Sequence, residues 1–502
     1  MELVYLWVEN YKNIQEESFH LSLKFECNYH KEKNQLTVNK KDDYLEEFFG
    51  KNINITAIVG ENGSGKSSII DIIQECVENN LYTEYILVFT GNDNVLKYIS
   101  NIEIISNLQK GTAKELAQDI FIYNKNSHIH FPYRNYNIIK VDKKSIINML
   151  ITECDKLKFK ISTFMYLPIE LEIKLKDSKI LIEENINFFE SLNREKIKQI
   201  FTSIIDPYYQ YLFITYGRQQ GINVKIDILE NQEKLKNIIE NSLSEEEYYR
   251  YFPNKMDENI FDIAKLTEEE KNIYIRKGGY SHFFDFDMID EKYRRYNHLS
   301  HGEQMIFAQL LNIYFYSKTK TNLIFLFDEP EIALHPEWQK KYLNEVITLL
   351  NLLKKNYHFI FTTHSPFLIS DLPKENIIFL EKDNKTGECI NTTKIVKINS
   401  FGANIHTLLS HGFFMKDGLM GEFAKDKINT IIKNLANKDY KITSKERKQL
   451  LLTINRIGEE FLKSKLLDMY YKKFDDEFTK KQRIEELKRE QKKIQQELER
   501  YD

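Results

Sequence analysis

The sequence is poor in residues that break or cross-link a chain. It has 17 glycines, 8 prolines and 4 cysteines in 502 residues. The cysteines are far apart and include no CxxC pair, which argues against a zinc ribbon or a disulfide framework and fits a reducing compartment. Such low glycine and proline content disfavours long flexible linkers and loop-rich all-β folds. A local cluster of glycines is therefore informative.

Long apolar runs and a strong net charge are also missing. No stretch of 18 apolar residues occurs, and acids and a lysine appear within the first dozen residues. The sequence therefore predicts a cytoplasmic protein with no membrane span and no signal peptide. Lys and Arg number 71 against 75 Asp and Glu, a net charge of −4, so a histone-like polycation is excluded and any contact with nucleic acid must be local.

Short apolar runs predict the strands of a sheet. Ile53–Val59, Asn322–Phe327 and His358–Thr363 are of the buried type, and helical spacing over Trp338–Lys355 predicts a parallel strand–helix–strand unit. The apolar start of the chain is predicted to form edge strands around a tight turn at Tyr11–Ile14.

Other segments indicate a hairpin and a helical region. Tyr85–Phe89 and Val95–Ile105 flank a polar turn, which predicts a β-hairpin. The segments 195–217 and 230–252 show mostly helical patterns, which favours a helical lobe inserted into the sheet domain.

The strongest motif follows the first buried strand. Residues 60–67 read GENGSGKS, a GxxxxGK[ST] loop before a predicted helix. Glycines let backbone N–H groups curl around phosphate oxygens, and a helix N-terminus adds positive potential. Lys66 is then predicted to reach the β- and γ-phosphates of a nucleotide and Ser67 to ligate Mg²⁺. The predicted nucleotide-binding residues here are Gly60, Glu61, Asn62, Gly63, Ser64, Gly65, Lys66, Ser67 and Ser68.

The second motif is a strand that ends in Asp328-Glu329-Pro330. Taken alone, such carboxylates are usually a solvated strand end. Beside a phosphate loop, Asp328 is predicted to hold Mg²⁺ and Glu329 to deprotonate an attacking water.

Two further elements lie at helix and strand ends. Ser300 and Gly302 start a predicted helix and can bind a γ-phosphate from another subunit, although Ser300 and Glu303 also fit a helix capping box, and both interpretations can hold. His364 follows a strand, where it either senses the γ-phosphate or is a simple polar cap.

The order and spacing of these four motifs resemble those of ABC-type ATPases. The resemblance is to the branch that contains RecF, SMC proteins and overcoming-lysogenization-defect (OLD) ATPases, and it covers about residues 1–100 and 295–385. It implies an α/β ATPase head, a mixed sheet with helices on its faces. It also implies Walker A residues Lys66 and Ser67, Walker B residues Asp328 and Glu329, signature residues Ser300 and Gly302, and a switch histidine, His364.

The resemblance also implies a mechanism and shows two departures. Glu329, Lys66 and His364 are the expected catalytic residues, with ATP and Mg²⁺ held in a head-to-tail dimer. His301 replaces the usual second glycine of the signature. No glutamine marks the expected Q-loop region, roughly Asp119–His130, so that role stays unassigned.

The expected organisation has four parts. Residues 1–142 and 296–400 are the two halves of the ATPase head, 143–295 are the inserted, mainly helical lobe, and 401–502 are a helical C-terminal region. A Toprim nuclease is not expected, because Glu381 and Asp383 end a predicted strand at DNKTG (residues 383–387), which reads as a hairpin turn, and no later strand ends in DxD. His128 and His130 are read as a strand face rather than a metal pair.

The C-terminal region suggests partners. Phe401–Asn429, rich in aromatics and glycines, is read as a helical hairpin on the ATPase core. It also resembles stand-alone ATPases of antiphage systems, above all the Septu ATPase PtuA and its retron-associated relatives, which implies a homo-oligomer that regulates a separate HNH nuclease. DNA or RNA could contact such an assembly. The end of the sequence predicts either a short coiled-coil seam or one side of a solvated helix, formed by Ile484, Leu487, Gln491, Ile494 and Leu498. The alternative function is a RecF/SMC-like DNA-binding ATPase in repair or chromosome maintenance.

Overall fold

The computed structural model divides the chain into two compact units. The head unit is Met1–Phe414 and the tail unit is Met415–Asp502. The described residues are 1–123, 137–138, 145–147, 149–150, 168–175, 260–267, 284–410, 420–474, 484, 488 and 491.

The head unit contains both strands and helices. Its described strands are β1 (Glu2–Tyr11), β2 (Ile14–His20), β3 (Phe25–His30), β4 (Gln35–Lys40), β5 (Ile53–Gly60), β6 (Tyr85–Thr90), β7 (Leu96–Ser100), β8 (Gln109–Lys110), β9 (Ile120–Tyr123), β10 (Asn137–Ile138), β11 (Pro168–Leu175), β12 (Ile260–Asp262), β13 (Phe284–Asp290), β14 (Asn322–Asp328), β15 (Asn356–Thr363), β16 (Ile377–Lys382) and β17 (Cys389–Asn391). Its described helices are α1 (Lys66–Glu78), α2 (Ala113–Ala117), α3 (His301–Thr319), α4 (Pro336–Leu353), α5 (Pro366–Ser370) and α6 (Ile405–Ser410).

A seven-stranded sheet lies at the centre of the head unit. Its order is β10-β9-β14-β15-β5-β16-β17, and every neighbouring pair is parallel except β16 and β17. The predicted parallel unit is confirmed as β14, α4 and β15. The antiparallel return of β17 confirms the hairpin turn predicted after β16.

Both faces of this sheet are buried, which explains its continuous apolar strands. Alternate residues of β14 point to opposite faces: Phe325 packs in a cluster with residues of α3 and α4, whereas Leu326 packs in a cluster with residues of α1. The predicted α/β class, a mixed sheet with helices on its faces, is confirmed.

A second sheet corrects two predictions. Its order is β2-β1-β6-β7-β8, so β1 is an interior strand and not an edge strand. The apolar run of β1 feeds two core clusters, with Leu6 on one side and Trp7 on the other. The turn between β1 and β2 is confirmed by the pairing of Tyr11 with Ile14. The predicted hairpin is present as β6 and β7, but β7 ends at Ser100 and not at Ile105. The Ser100 hydroxyl donates to a backbone carbonyl and accepts the N–H of Ile102, which turns the chain.

Part of the predicted inserted lobe is described, and it forms a sheet. Strands β12, β11 and β13 pair antiparallel in that order. The two segments predicted to be helical, 195–217 and 230–252, lie outside the described residues, as do His128 and His130.

The tail unit is helical where it is described, which confirms the helical C-terminal region. It contains α7 (Glu422–Ala436), α8 (Ser444–Ile454) and α9 (Glu460–Lys473), which share a core that includes Ile431, Ile454 and Tyr470. In the segment Phe401–Asn429, residues 411–419 lie outside the described residues. The same is true of Leu487, Ile494 and Leu498 in the predicted seam. Among the described residues, no helix is both long and apolar enough to cross a membrane.

Candidate functional site

The phosphate loop connects the end of β5 to the start of α1. Gly63 has φ +77° and Gly65 has φ +104°, values in the left-handed region that favours glycine. At Gly60, an added Cβ would lie 2.4 Å from the carbonyl oxygen of Leu380 and 2.4 Å from Oγ of Ser64. The glycines of the motif are therefore required by the shape of the loop.

Two polar side chains of the loop, Ser64 and Lys66, are buried. Lys66 is buried, and its Nζ donates to the carbonyl oxygens of Gly60 (3.0 Å) and Glu61 (3.1 Å). Oγ of Ser64 is buried and has no hydrogen-bond partner within the described residues. A buried hydroxyl without a partner is costly, and a ligand oxygen inside the loop would satisfy it.

Ser67 and Asp328 meet, as the two motifs predict. Oγ of Ser67 donates to Oδ1 of Asp328 at 2.8 Å, and the same oxygen accepts the hydroxyl of Thr362 at 2.7 Å. Asp328 is 2% exposed. Because β14 and β15 are parallel neighbours in which Asp328 pairs with Thr362, both side chains are at the carboxyl edge of the sheet, beside the phosphate loop.

Glu329 is held in an unusual backbone conformation. Its φ is +47°, a left-handed value that costs a non-glycine residue about 1–3 kcal/mol unless its surroundings enforce it. The N–H of Glu329 donates to Oγ1 of Thr362 at 2.9 Å. Oε1 of Glu329 lies 3.5 Å from Nε2 of His364, a buried nitrogen without a hydrogen-bond partner in the described part of the chain. Strain of this kind is concentrated at functional sites.

A second buried carboxyl group near Glu329 and His364 is that of Glu331. Its Oε1 accepts the hydroxyl of Thr363 and the backbone N–H of His364, the latter at 3.1 Å. Its Oε2 is buried and has no partner in the described residues. Burial raises the pKa of the Glu331 carboxyl, and the nearby charge of Glu329 adds to this effect. Glu331 thus positions the backbone of His364.

The signature motif begins α3. Oγ of Ser300 accepts the N–H of Glu303 and also donates to the Glu303 carboxylate, so the capping box predicted as one interpretation is confirmed. Within the described residues, the side-chain hydrogen bonds of Ser300 are with Glu303, and none joins it to the phosphate loop of the same chain. A Cβ at Gly302 would lie 2.6 Å from the carbonyl oxygen of Ala333, so this glycine lets α3 approach the segment that follows Glu329.

Three residues near the site were not assigned a role from the sequence. Nδ2 of Asn13, in the turn between β1 and β2, donates to the carbonyl of Gly63 at 3.0 Å. Nζ of Lys382 lies 3.8 Å from the position that a Cβ would occupy on Gly63. Gln309 of α3 donates to the carbonyl of Pro330 at 3.2 Å and accepts the hydroxyl of a tyrosine on α4. The turn motif was the one available signal, and it marked Asn13 without giving its contact.

The residues present fit a nucleotide with Mg²⁺. Glycines shape the loop, and the buried Oγ of Ser64 in it has no hydrogen-bond partner among the described residues. The hydroxyl of Ser67 and a carboxylate oxygen of Asp328 meet next to the loop. Oxygen ligands of this kind are those Mg²⁺ prefers, with few protein ligands and the phosphates supplying others. The region expected to hold the Q-loop, roughly Asp119–His130, is described only as far as Tyr123, where β9 ends, and residues 124–136 lie outside the described residues.

Comparisons with known proteins found a family model and a curated relative that are similar to this chain. Residues 139–370 match the family described as "AAA domain, putative AbiEii toxin, Type IV TA system". The chain is 22% identical over 400 residues to the Retron Vc95 probable ATPase of Vibrio cholerae serotype O1 biovar El Tor, covering 72% of this chain and 75% of that protein.

Two SMC heads are among the solved structures that the comparison found. The SMC head domain of Thermotoga maritima is 13% identical with a TM-score of 0.31, covering 79% of this chain and 100% of that one. The Smc head domain from Pyrococcus furiosus, solved with the C-terminal domain of ScpA, is 14% identical with a TM-score of 0.31, covering 78% and 97%. From the sheet topology and the assembled motifs, we conclude that the head unit has the fold of a P-loop ATPase.

Proposed function

We propose that the protein binds and hydrolyses ATP at the junction of β5, β14 and β15. The observation that supports this most directly is the bonded set of Ser67, Asp328 and Thr362, with Glu329 beside His364. Lys66 would turn from the loop carbonyls to the β- and γ-phosphates. Glu329 would accept a proton from the attacking water, and Nε2 of His364 would bond the γ-phosphate. Mg²⁺, held through Ser67 and Asp328, would neutralise phosphate charge.

We further propose that the site is completed by a second copy of the chain. Ser300 bonds within its own helix start, and α3 exposes its N-terminus, where backbone N–H groups favour an anion. In a head-to-tail dimer, Ser300 and Gly302 of one protomer would contact the γ-phosphate bound by the other. ATP binding would close this interface and hydrolysis would reopen it. The division into a split head (1–142 and 296–400), an inserted lobe (143–295) and a C-terminal region (401–502) is part of the proposal.

The finer function we propose is regulation of a separate nuclease of the HNH type in antiphage defence. Two similarities support it: the resemblance of the C-terminal region to PtuA-like ATPases, and the retron ATPase relative. The competing function is a RecF/SMC-like ATPase that acts on DNA by itself. Purification of the chain with the product of its neighbouring gene separates them, because a stable complex with a nuclease is expected from the first and not from the second.

The ATPase proposal is tested with two variants and a phosphate-release assay. Lys66→Ala should abolish ATP binding. Glu329→Gln should keep binding, reduce turnover at least 100-fold and accumulate dimer in ATP, as measured by light scattering. Glu337→Gln is a matched control, because Glu337 is an exposed glutamate that pairs with Lys341 on α4. Wild-type turnover by Glu329→Gln would show that another group is the base.

A further inference from the structure

The tail unit has a charge opposite to that of the whole chain. Residues 420–474 contain thirteen lysines and arginines against seven aspartates and glutamates, whereas the chain carries a net charge of −4. A local basic surface on an otherwise acidic protein is a feature of nucleic-acid contact. The contacts among α7, α8 and α9 show where this basic surface lies.

Three elements meet at one end of this unit, which we call the basic end. Nζ of Lys473, in the last turn of α9, donates to the carbonyl of Asn437, just after α7, and lies over the ring of Tyr440. The guanidinium of Arg447, in the first turns of α8, lies 4.6 Å from the ring centroid of Phe474. The end of α9, the connection between α7 and α8, and the start of α8 are therefore adjacent.

Exposed lysines are concentrated on these elements. They are Lys438, Lys441, Lys445, Lys448 and Lys472, and none has a carboxylate within ion-pair distance in the described part of the tail. The described acids at this end are Asp439 and Glu446, and Glu446 is engaged with Thr443 in a capping box. Asp475, Asp476 and Glu477 follow α9 in the sequence.

Helix stability does not explain this distribution. Cations stabilise the last turn of a helix and are disfavoured in the first, because the N-terminus carries the positive end of the dipole. Lys472 and Lys473 are in the last turn of α9, where they are favourable. Lys445 is in the first turn of α8, where the dipole opposes it. The dipoles of these helices therefore do not account for the exposed lysines at this end, which points to an external anion.

We propose that the basic end binds the phosphate backbone of nucleic acid. Closely spaced phosphates match several lysines that are adjacent and lack carboxylate partners, and the ring of Tyr440 beside them resembles the aromatic–basic surfaces that bind single strands. Such binding does not depend on the nucleotide sequence, because the lysines contact the phosphate charges and not the bases. It goes beyond the proposed ATPase activity and does not depend on it.

The test is fluorescence anisotropy of the full-length protein with labelled 30-nucleotide single-stranded DNA and a 30-base-pair duplex. The variant is Lys438→Glu, Lys441→Glu and Lys472→Glu combined. We expect it to weaken binding at least tenfold at low salt and to reduce the slope of log affinity against log salt by about two to three, roughly one for each lost phosphate contact. Circular dichroism should show unchanged helix content, because all three side chains are exposed.

The matched control removes the same charge from the head unit. Lys33→Glu, Lys40→Glu and Lys51→Glu change three exposed lysines and should bind like the wild type. Equal loss in both triple variants would mean that net charge, not the basic end, drives binding. Competition by polyglutamate as strong as by DNA would assign the surface to acidic proteins instead. Unchanged binding by Lys66→Ala would separate this contact from the ATPase activity, and no binding by the wild type would overturn the proposal.

Discussion

Removal of the Thr362 hydroxyl is the best single test of how the carboxylate of Glu329, the proposed base, is positioned. This hydroxyl is fully buried, donates to Oδ1 of Asp328 and accepts the N–H of Glu329. Thr362→Val keeps the shape of the side chain and removes both bonds. The buried N–H of Glu329 then lacks a partner, which costs about 1–3 kcal/mol.

That cost is comparable with the backbone strain at Glu329. A non-glycine residue at φ +47° carries about 1–3 kcal/mol of strain. Without the bond to Thr362, this strain is no longer offset by the hydrogen bond of the Glu329 N–H. We expect Glu329 to relax away from its present position. A displacement of about 1 Å at a reacting group can reduce turnover about 100-fold. The expected result is a 10- to 100-fold lower kcat with little change in the affinity for ATP, because Lys66 and the loop glycines are untouched.

Thr56→Val is the matched control for this measurement. The Thr56 hydroxyl is also buried, donates to the Leu21 carbonyl at 2.8 Å and bonds Nε2 of His358 at 3.0 Å, away from the phosphate loop. Both variants should lower the midpoint of urea unfolding by similar amounts, and Thr362→Val alone should lower kcat. If the two variants lost stability equally and kept the wild-type kcat, Thr362 would be structural and our account of Glu329 would be refuted.

Three further predictions concern other parts of the head unit. Lys382→Ala should weaken ATP binding several-fold, as measured by calorimetry, because the ammonium group of Lys382 lies beside Gly63. Lys385→Ala, in the turn after β16, is the control. Equal affinities of the two variants would show that Lys382 is not part of the site. Gly60→Ala should abolish ATP binding, because its Cβ meets the Leu380 carbonyl, while Gly458→Ala, with open space around it, should not. Burial lowers the pKa of His358 from 6.5 to about 3. Between these two pH values the histidine is protonated in the unfolded chain and neutral in the folded one. Stability should therefore fall from pH 6.5 towards pH 3, by about 2 kcal/mol at pH 5, and His358→Gln should reduce this slope in urea titrations.

The neutral state of His358 also follows from its contacts. Its Nδ1 accepts the N–H of Leu3 at 3.1 Å, so the proton is on Nε2. Nε2–H then donates to the Thr56 hydroxyl, which itself donates to the carbonyl of Leu21. A second proton on the ring would break the bond to Leu3. If wild type and His358→Gln lost stability in parallel on acidification, another group would be responsible.

The sequence predicted those parts of the fold and the site that depend on local patterns. Ile53–Val59 and Asn322–Phe327 are buried on both faces, so their apolar runs located the central strands. The phosphate loop has a motif because glycine is required at fixed positions by φ and by close contact, as at Gly60 and Gly65. The assigned roles of Lys66 and Ser300 remain predictions.

What the sequence could not predict depends on pairing between distant segments. The sequence pattern of β1 predicts an edge strand, whereas its two neighbours, β2 and β6, are set by tertiary contacts that the pattern does not contain. Thr362 looks like any threonine in an apolar strand, and only its pairing opposite Asp328 gives it a role. Glu331 directly follows the Asp328-Glu329-Pro330 motif, yet its bonds to Thr363 and His364 depend on how β14 and β15 align.

The alignment of the central strands connects the hydrophobic core with the chemistry of the site. Asp328 pairs with Thr362 and Thr363 pairs with Val59, so three strands end together at the phosphate loop. A slip of β15 by one residue would turn Thr362 to the opposite face, and the same slip of β14 would move Phe325 out of its apolar cluster. Burying one such side chain stabilises the fold by about 1.5–3 kcal/mol, and every residue of β14 would be affected. The packing energy of the core is therefore much larger than the strain at Glu329, and it is what can hold that carboxylate beside His364.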